Sequence, residues 1–263
     1  MTAAARYQII THAGSGAPWL VMVHGATQHS RLFSGQVGAF SPGYRLFLVD
    51  LPGHGRSSDL TGPFGQVEYA ASVRAALMEA GIERFHYWGT HTGAAVGLLL
   101  ALEEPGCVLS LILEGAVVPG ASMPYTTRRI EQARATARSR GAAIAIEEWY
   151  DTAEWFDVMR RDPLACRAAD QKAMLAEFGA RPWLDDAVPA PAPTVEARLG
   201  ELQVRVLLVN GERDLPEFLA TADHLEQRLP DVTRVTIPDA GGFPLWERPE
   251  AVNHVVLGFL SQY

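Results

Sequence analysis

The chain has few cysteines, no long apolar run and no excess of basic residues. Its two cysteines, Cys107 and Cys166, lie in no C-x-x-C or histidine-rich metal pattern. They therefore suggest no disulfide framework and favour a reducing compartment. The longest apolar stretch, residues 94–102, is far too short to cross a bilayer. Because the first 16 residues hold no apolar run of signal-peptide length, we expect a cytoplasmic protein that does not enter membranes.

The formal net charge of −8 argues against nucleic acid as the main partner. No motif implies a metal, a nucleotide or a flavin, so we expect no cofactor. With 263 residues, of which 48% are apolar, the chain can build one large α/β domain or two small ones, with a substantial core. A small-molecule substrate is the partner expected for such a chain, and a homodimer stays open.

Apolar runs of strand length alternate with helical patterns along most of the chain. Such alternation predicts an α/β fold with a mostly parallel central sheet and helices on both of its faces. The predicted strands are residues 19–23, 45–49, 85–88, 108–113, 204–209 and 233–237, and the main predicted helices are 69–80, 91–104, 216–229 and 252–260.

The alternation stops near residue 119 and resumes after residue 198. The intervening segment is rich in alanine, arginine and tryptophan and contains a proline-rich run at 188–193. We therefore divide the chain into residues 1–118 as the first part of a core domain, 119–198 as a helical insertion, and 199–263 as the second part of the core.

One pentapeptide, Gly89-Thr90-His91-Thr92-Gly93, has the form of a nucleophile elbow with histidine at its tip. In the usual G-x-S-x-G form, a strand turns sharply into a helix and holds a serine above the sheet. The tip residue adopts a positive φ, which histidine tolerates better than most residues. The position of the pentapeptide between a predicted strand and a predicted helix strengthens the assignment.

Two further segments carry a family resemblance. His24-Gly25-Ala26 ends the first core strand, and residues 50–57 read D-L-P-G-H-G-R-S. Together with the elbow they resemble the α/β-hydrolase family, over about residues 19–118 and 203–261. The resemblance implies that 119–198 is the family's helical cap over the active site. It also implies an oxyanion hole formed by the backbone N–H groups of Ala26 and Thr92.

The resemblance places the catalytic acid and base near the end of the chain, where the sequence departs from the family a second time. Asp214 matches the usual acid position, and Glu114 matches the alternative position after the preceding strand. The family's histidine stands in an A-G-H-F-P-like segment after the last strand, but residue 242 in this segment is glycine. His91 is therefore the expected base or nucleophile, with Asp214 as a second catalytic residue that orients it or contacts substrate or water.

A histidine at the elbow can act as general base or attack a carbonyl directly. We expect hydrolysis of a small activated carbonyl substrate, a lactone or an ester, by a mechanism without serine. Two alternatives stay open: a cofactor-independent lyase, decarboxylase or oxygenase that uses His91 as general base, and a small-molecule receptor without chemistry. The residues expected to contact the substrate are His24, His29, Glu114, Trp149, Trp155 and Phe243.

Overall fold

A computed structural model describes residues 2–262. It contains a seven-stranded sheet in the order β1-β3-β2-β4-β5-β6-β7. The pairing of β1 with β3 is antiparallel, and the other neighbouring pairs are parallel. The strands are β1 (Arg6–Ile10), β2 (Trp19–Val23), β3 (Arg45–Asp50), β4 (Phe85–Thr90), β5 (Val108–Glu114), β6 (Arg205–Gly211) and β7 (Val232–Ile237). The predicted mostly parallel sheet is confirmed.

Helices cover both faces of the sheet, as the alternating pattern predicted. They are α1 (Ser34–Phe40), α2 (Gln66–Glu79), α3 (Thr92–Glu103), α4 (Pro124–Arg140), α5 (Ala142–Thr152), α6 (Asp157–Arg161), α7 (Ala168–Ala176), α8 (Arg181–Leu184), α9 (Pro216–Arg228), α10 (Pro244–Glu247) and α11 (Pro249–Leu260). None of the helices in the described part of the chain is long and apolar enough to cross a membrane.

Two hydrophobic cores lie on opposite faces of the sheet because successive strand residues point to opposite sides. In β2, Leu20 and Met22 belong to the core shared with α1 and α11, whereas Val21 and Val23 belong to the core shared with α2 and α3. All four side chains are fully buried. A strand that is apolar at every position is what a sheet covered on both faces requires.

The elements between β5 and β6 are helical and include α4 to α8, which together form the helical insertion. Its aromatic residues join the core of the α1 and α11 face. The division of the chain at 118 and 198 stays a prediction, and its outermost residues, 1 and 263, lie outside the described range.

The parallel strands β2 to β7 all end at the same edge of the sheet. The elbow follows β4, Glu114 ends β5, Asp214 follows β6 and Gly242 follows β7. Ligand sites in open α/β sheets lie at this edge. The fold therefore gathers segments that are far apart in the sequence into one region.

Candidate active site

The elbow connects β4 to α3 through one residue of positive φ. His91 has φ 47° and ψ −109° and is the N-cap residue of α3. A Cβ at Gly89 would lie 2.3 Å from the carbonyl oxygen of Gly93, and a Cβ at Gly93 would lie 2.1 Å from that of Val23. Both positions therefore require glycine, because backbone atoms approach too closely for any side chain. The sharp turn presents His91 at the edge of the sheet.

The imidazole of His91 lies between two further glycines. A Cβ added at Gly25 would be 3.3 Å from Nδ1, and one added at Gly115 would be 2.8 Å from Nε2. The rings of Phe218 and Phe243 also pack on the imidazole, and the centroid of each lies 5.1 Å from the centroid of the imidazole ring. The imidazole is therefore held by close packing, and it fits because the two neighbouring glycines have no side chain.

Burial keeps the imidazole uncharged near neutral pH. His91 is 8% exposed, and desolvation lowers its pKa from 6.5 to about 4. Its Nε2 is enclosed and has no hydrogen-bond partner in the described part of the chain. Nδ1 lies on the side of Gly25, the residue that precedes Ala26. A neutral imidazole has one nitrogen with a free lone pair, so it can accept a proton.

The two predicted oxyanion-hole residues lie beside this imidazole. Ala26, Thr92 and His91 line the same cavity. Thr92 is the first residue of α3, so its N–H has no partner within the helix. The partial positive charge of a helix N-terminus favours an anion at this point. Thr27, with φ 67°, continues the loop after Ala26 and also lines the cavity.

The cavity in front of His91 is small and has mostly apolar walls. Its volume is about 70 Å³. That is well below the roughly 300–1,000 Å³ of typical ligand sites, so a ligand of ordinary size can enter only if the walls move apart. The lining residues are Ala26, Thr27, His91, Thr92, Val117, Thr126, Ile130, Trp149, Trp155, Trp183, Phe218 and Phe243. Three of the predicted contact residues, Trp149, Trp155 and Phe243, are among them.

A tryptophan of the helical insertion fills the space next to the missing histidine. A Cβ at Gly242 would lie 3.0 Å from Cδ1 of Trp155 and 3.3 Å from its backbone oxygen. Trp155 is 5% exposed and packs on Phe218 with ring centroids 6.0 Å apart. The packing of the insertion is therefore matched to glycine at position 242, and a larger side chain there has little room.

Asp214 does not pair with the imidazole. Its Oδ2 accepts a hydrogen bond from Nδ2 of Asn210 at 2.9 Å, and its Oδ1 accepts one from the N–H of Leu215 at 2.8 Å. No hydrogen bond joins Asp214 to His91 in the described residues. The expectation that Asp214 orients His91 therefore lacks the contact that it requires.

Two other buried carboxyl groups, those of Glu114 and Glu247, lie near Asp214. Glu114 accepts a hydrogen bond from the N–H of Leu245 at 3.3 Å, and Glu247 accepts one from the N–H of Gly241. Burial raises the pKa of Asp214 and of Glu247 to about 7 each, and it raises that of Glu114 well above its usual range. Glu114 does not line the cavity, and its contact with substrate stays a prediction.

His24 and His29 also lie away from the cavity. The ring of His24 is fully buried: its Nε2 accepts from the N–H of Leu51 at 2.9 Å, and its Nδ1 pairs with the carbonyl of Gly25 at 2.7 Å. His24 therefore fixes the oxyanion loop and has no nitrogen left for substrate. His29 lies 3.2 Å from Glu177 and lines a separate cavity of about 550 Å³ that contains no elbow residue. Neither histidine lines the cavity in front of His91, and substrate contact by these residues stays a prediction.

Several residues around the imidazole were not predicted from the sequence. Gly115 and Phe218 are the most important: a Cβ at Gly115 would lie 2.8 Å from Nε2, and the ring of Phe218 packs on the imidazole. Each follows a strand at the carboxyl edge, and that position was the available signal. Thr126 and Ile130 come from the insertion, and no motif marks them.

Comparison with known proteins agrees with this geometry. The sequence profile of the alpha/beta hydrolase fold family matches residues 18–249. A pimeloyl-[acyl-carrier protein] methyl ester esterase of Nitrosomonas europaea is 28% identical over 92% of this chain and 94% of its own length. A 2-succinyl-6-hydroxy-2,4-cyclohexadiene-1-carboxylate synthase of Pectobacterium atrosepticum is 32% identical over 75% of this chain and 78% of its own.

Solved structures show the same fold. The enol-lactonase of Burkholderia xenovorans LB400 superposes with a TM-score of 0.81 at 21% identity, covering 97% of this chain and 96% of that one. MenH from S. aureus gives a TM-score of 0.83 at 20% identity, covering 97% and 98% of the two chains.

Proposed function

Because the chain belongs to the α/β-hydrolase fold family, we propose that it hydrolyses small activated esters or lactones with His91 in place of the nucleophilic serine. The observation that carries this proposal is the uncharged imidazole at the elbow tip, next to the amides of Ala26 and Thr92 and facing an apolar cavity. Similarity to an ester-cleaving relative and to an enol-lactonase supports the choice of bond.

In the proposed mechanism His91 acts as general base through Nδ1, the nitrogen on the side of the oxyanion loop. The substrate carbonyl oxygen accepts hydrogen bonds from the N–H groups of Ala26 and Thr92. Nδ1 takes a proton from a water molecule as that water attacks the carbonyl carbon. The bond to the leaving oxygen then breaks, and the same proton passes to that oxygen, so an alcohol or enol and a carboxylic acid are formed.

The strength of the base limits the substrate. An imidazole with a pKa of about 4 is ready to accept protons at neutral pH but binds them weakly. General-base help contributes about 10²–10⁴-fold, and one oxyanion donor contributes about 10²–10³-fold. Together these factors suit an ester or lactone with a good leaving group and are too small for an ordinary amide.

A second candidate is a lyase in which His91 removes a proton from carbon and the two amides hold the resulting enolate. Two observations favour it: His91 has no carboxylate partner in the described residues, and the chain is 32% identical to a synthase. Both candidate reactions use His91 as the base and the same oxyanion hole, so they are distinguished by their products.

The test compares wild type with His91→Ala on p-nitrophenyl acetate and dihydrocoumarin. We expect kcat/KM to fall by about 10²–10⁴-fold in the variant. Exposed His254 provides the matched control, and His254→Ala should leave the rate unchanged. Gly115→Ala should lower the rate by about 10²-fold, since its new Cβ forces the imidazole aside. Equal rates for His91→Ala and wild type would refute the proposal.

Product analysis in ¹⁸O-labelled water then separates the reactions. Hydrolysis must place the label in the acid product, whereas proton abstraction followed by elimination leaves it out. Recovery of every tested ligand unchanged, with saturable binding, would instead favour a receptor.

A further inference from the structure

The walls of the cavity carry no charge that could hold an ionic ligand. Among the described residues that line it, His91 is the one ionisable side chain, and burial keeps it neutral. The remaining polar groups of the lining residues are the hydroxyls of three threonines, the indole N–H groups of three tryptophans and the backbone amides of the oxyanion hole. A carboxylate entering this space would lose its hydration without gaining a cation.

The arginines of the helical insertion do not supply the missing charge. Arg129 donates to Thr152 at 2.9 Å and Arg134 donates to the carbonyl of Pro182 at 3.2 Å, and neither lines the cavity. The buried groups beyond β5 and β6 supply no cation either: they are the carboxyls of Glu114 and Asp214, whose pKa values are raised by burial. None of the described residues that line the cavity therefore offers a cation to a negatively charged substrate.

The wall is built instead from aromatic faces. Trp149 stacks on Trp155 with ring centroids 5.2 Å apart and an interplanar angle of 26°. Trp183 meets Trp149 edge-on at 5.6 Å. Flat, apolar surfaces of this kind pack well against a planar ligand.

One polar atom of this aromatic wall has no partner. The indole Nε1 of Trp149 is buried and makes no hydrogen bond within the described part of the chain. A buried N–H usually has an acceptor, and the residue lines the cavity. Because the walls must move apart to admit a ligand of ordinary size, a bound ligand can supply the missing acceptor.

We propose that the substrate is an uncharged, planar ester or lactone with a second oxygen that accepts a hydrogen bond from the indole N–H of Trp149. This assigns Trp149 as a specificity-determining residue and rests on the proposed function for the reactive bond. Relatives with dioate in their names act on doubly charged compounds, and this cavity is built for a different class.

The charge preference can be tested with probes that contain no hydrolysable ester. Naphthalene-2-carboxamide and 2-naphthoate have nearly the same shape and differ in charge at neutral pH. We expect calorimetric titration of wild type to give at least a tenfold tighter Kd for the amide. Equal affinities, or tighter binding of the naphthoate, would overturn the proposal. Because neither probe reacts, the result is independent of whether His91 is catalytic.

The role of the indole N–H can be tested with Trp149→Phe, which keeps an aromatic ring and removes the donor. We expect about fivefold weaker binding of naphthalene-2-carboxamide and an unchanged Kd for naphthalene, which has no acceptor. Trp246 also has a buried Nε1 without a partner but lies outside the cavity, so Trp246→Phe should change neither Kd. Equal losses for both probes in Trp149→Phe would contradict the assigned hydrogen bond. Circular dichroism confirms that each variant is folded.

Discussion

Replacement of Asp214 by asparagine removes a carboxyl group that has no cation to pair with. Asp214 is 5% exposed, and burial raises its pKa from 3.8 to about 7. Glu114 and Glu247 lie close enough to interact with it electrostatically. Asparagine keeps a carbonyl oxygen for the N–H of Leu215 and carries no charge at any pH. Its NH2 group takes the place of the oxygen that accepts from Asn210, and it can donate to that residue once the Asn210 amide turns its oxygen toward it. We therefore expect Asp214→Asn to stabilise the protein by an amount that grows as the pH rises from 3.8 to about 7.

The sign and size follow from the shifted pKa. The folded state keeps the proton up to pH of about 7, whereas the unfolded chain releases it near 3.8. The stabilisation from this proton is therefore complete below pH 3.8 and is lost as the pH rises through about 7. The shift corresponds to about 4 kcal/mol in total, of which roughly 3 kcal/mol fall between pH 5 and pH 8. Relaxation and water entry reduce such penalties, so we expect about 1.5 kcal/mol.

Urea denaturation of wild type and variant at pH 5 and pH 8 measures this difference directly. The gain from Asp214→Asn should be larger at pH 8 by about 1.5 kcal/mol, which corresponds to about 3–6 °C in Tm. Asp186 has a side chain that is 90% exposed, so Asp186→Asn should give the same small effect at both pH values. An equal gain in stability at pH 5 and pH 8, or a loss at pH 8, would show that Asp214 is not a buried carboxyl without a cation partner.

Three further outcomes are expected. The pH profile of kcat/KM should be flat from pH 6 to 8 and fall as the pH drops through about 4, because protonated His91 cannot act as a base. An inflection near 6.5, the ordinary pKa of histidine, would contradict the burial of this side chain. Gly242→His should not restore a serine-type site and should destabilise the fold by about 1–3 kcal/mol in thermal denaturation, because the new side chain would crowd the buried Trp155. An unchanged Tm would refute this reasoning. Glu217 accepts hydrogen bonds from the N–H groups of Tyr125 and Thr126 in the first turn of α4. Glu217→Gln should therefore lower the free energy of unfolding by about 1 kcal/mol. No loss of stability in urea titration would show that this contact is dispensable.

The fold followed from the sequence wherever a strand was buried on both sides. Six apolar runs gave six strands, because a strand covered on both faces is apolar at nearly every position. The apolar stretch from residue 91 gave α3, because it is too long for a typical strand. β1 escaped notice. It is an edge strand in which no residue is buried, so its pattern reflects partial exposure on both faces and resembles a loop.

The sequence predicted only those features of the site that depend on local backbone geometry. His91 stands at the tip because glycines at 89 and 93 permit the close approach of strand and helix, and the sequence displays all three residues. The expected partnership with Asp214 is missing because its carboxylate is occupied by Asn210 and Leu215. Such competition among neighbours cannot be read from spacing along the chain.

By itself the sequence determined the sheet, the elbow, the histidine at its tip and the glycine at position 242, since each depends on local backbone geometry or on the pattern of apolar residues. Only the tertiary structure decided what surrounds that histidine. Gly25 and Gly115 make room for its ring, Trp155 packs against Gly242, and the indole of Trp149 is left without a partner. These contacts join residues from distant segments, and they arise only when the strands end together and the helical insertion packs over them.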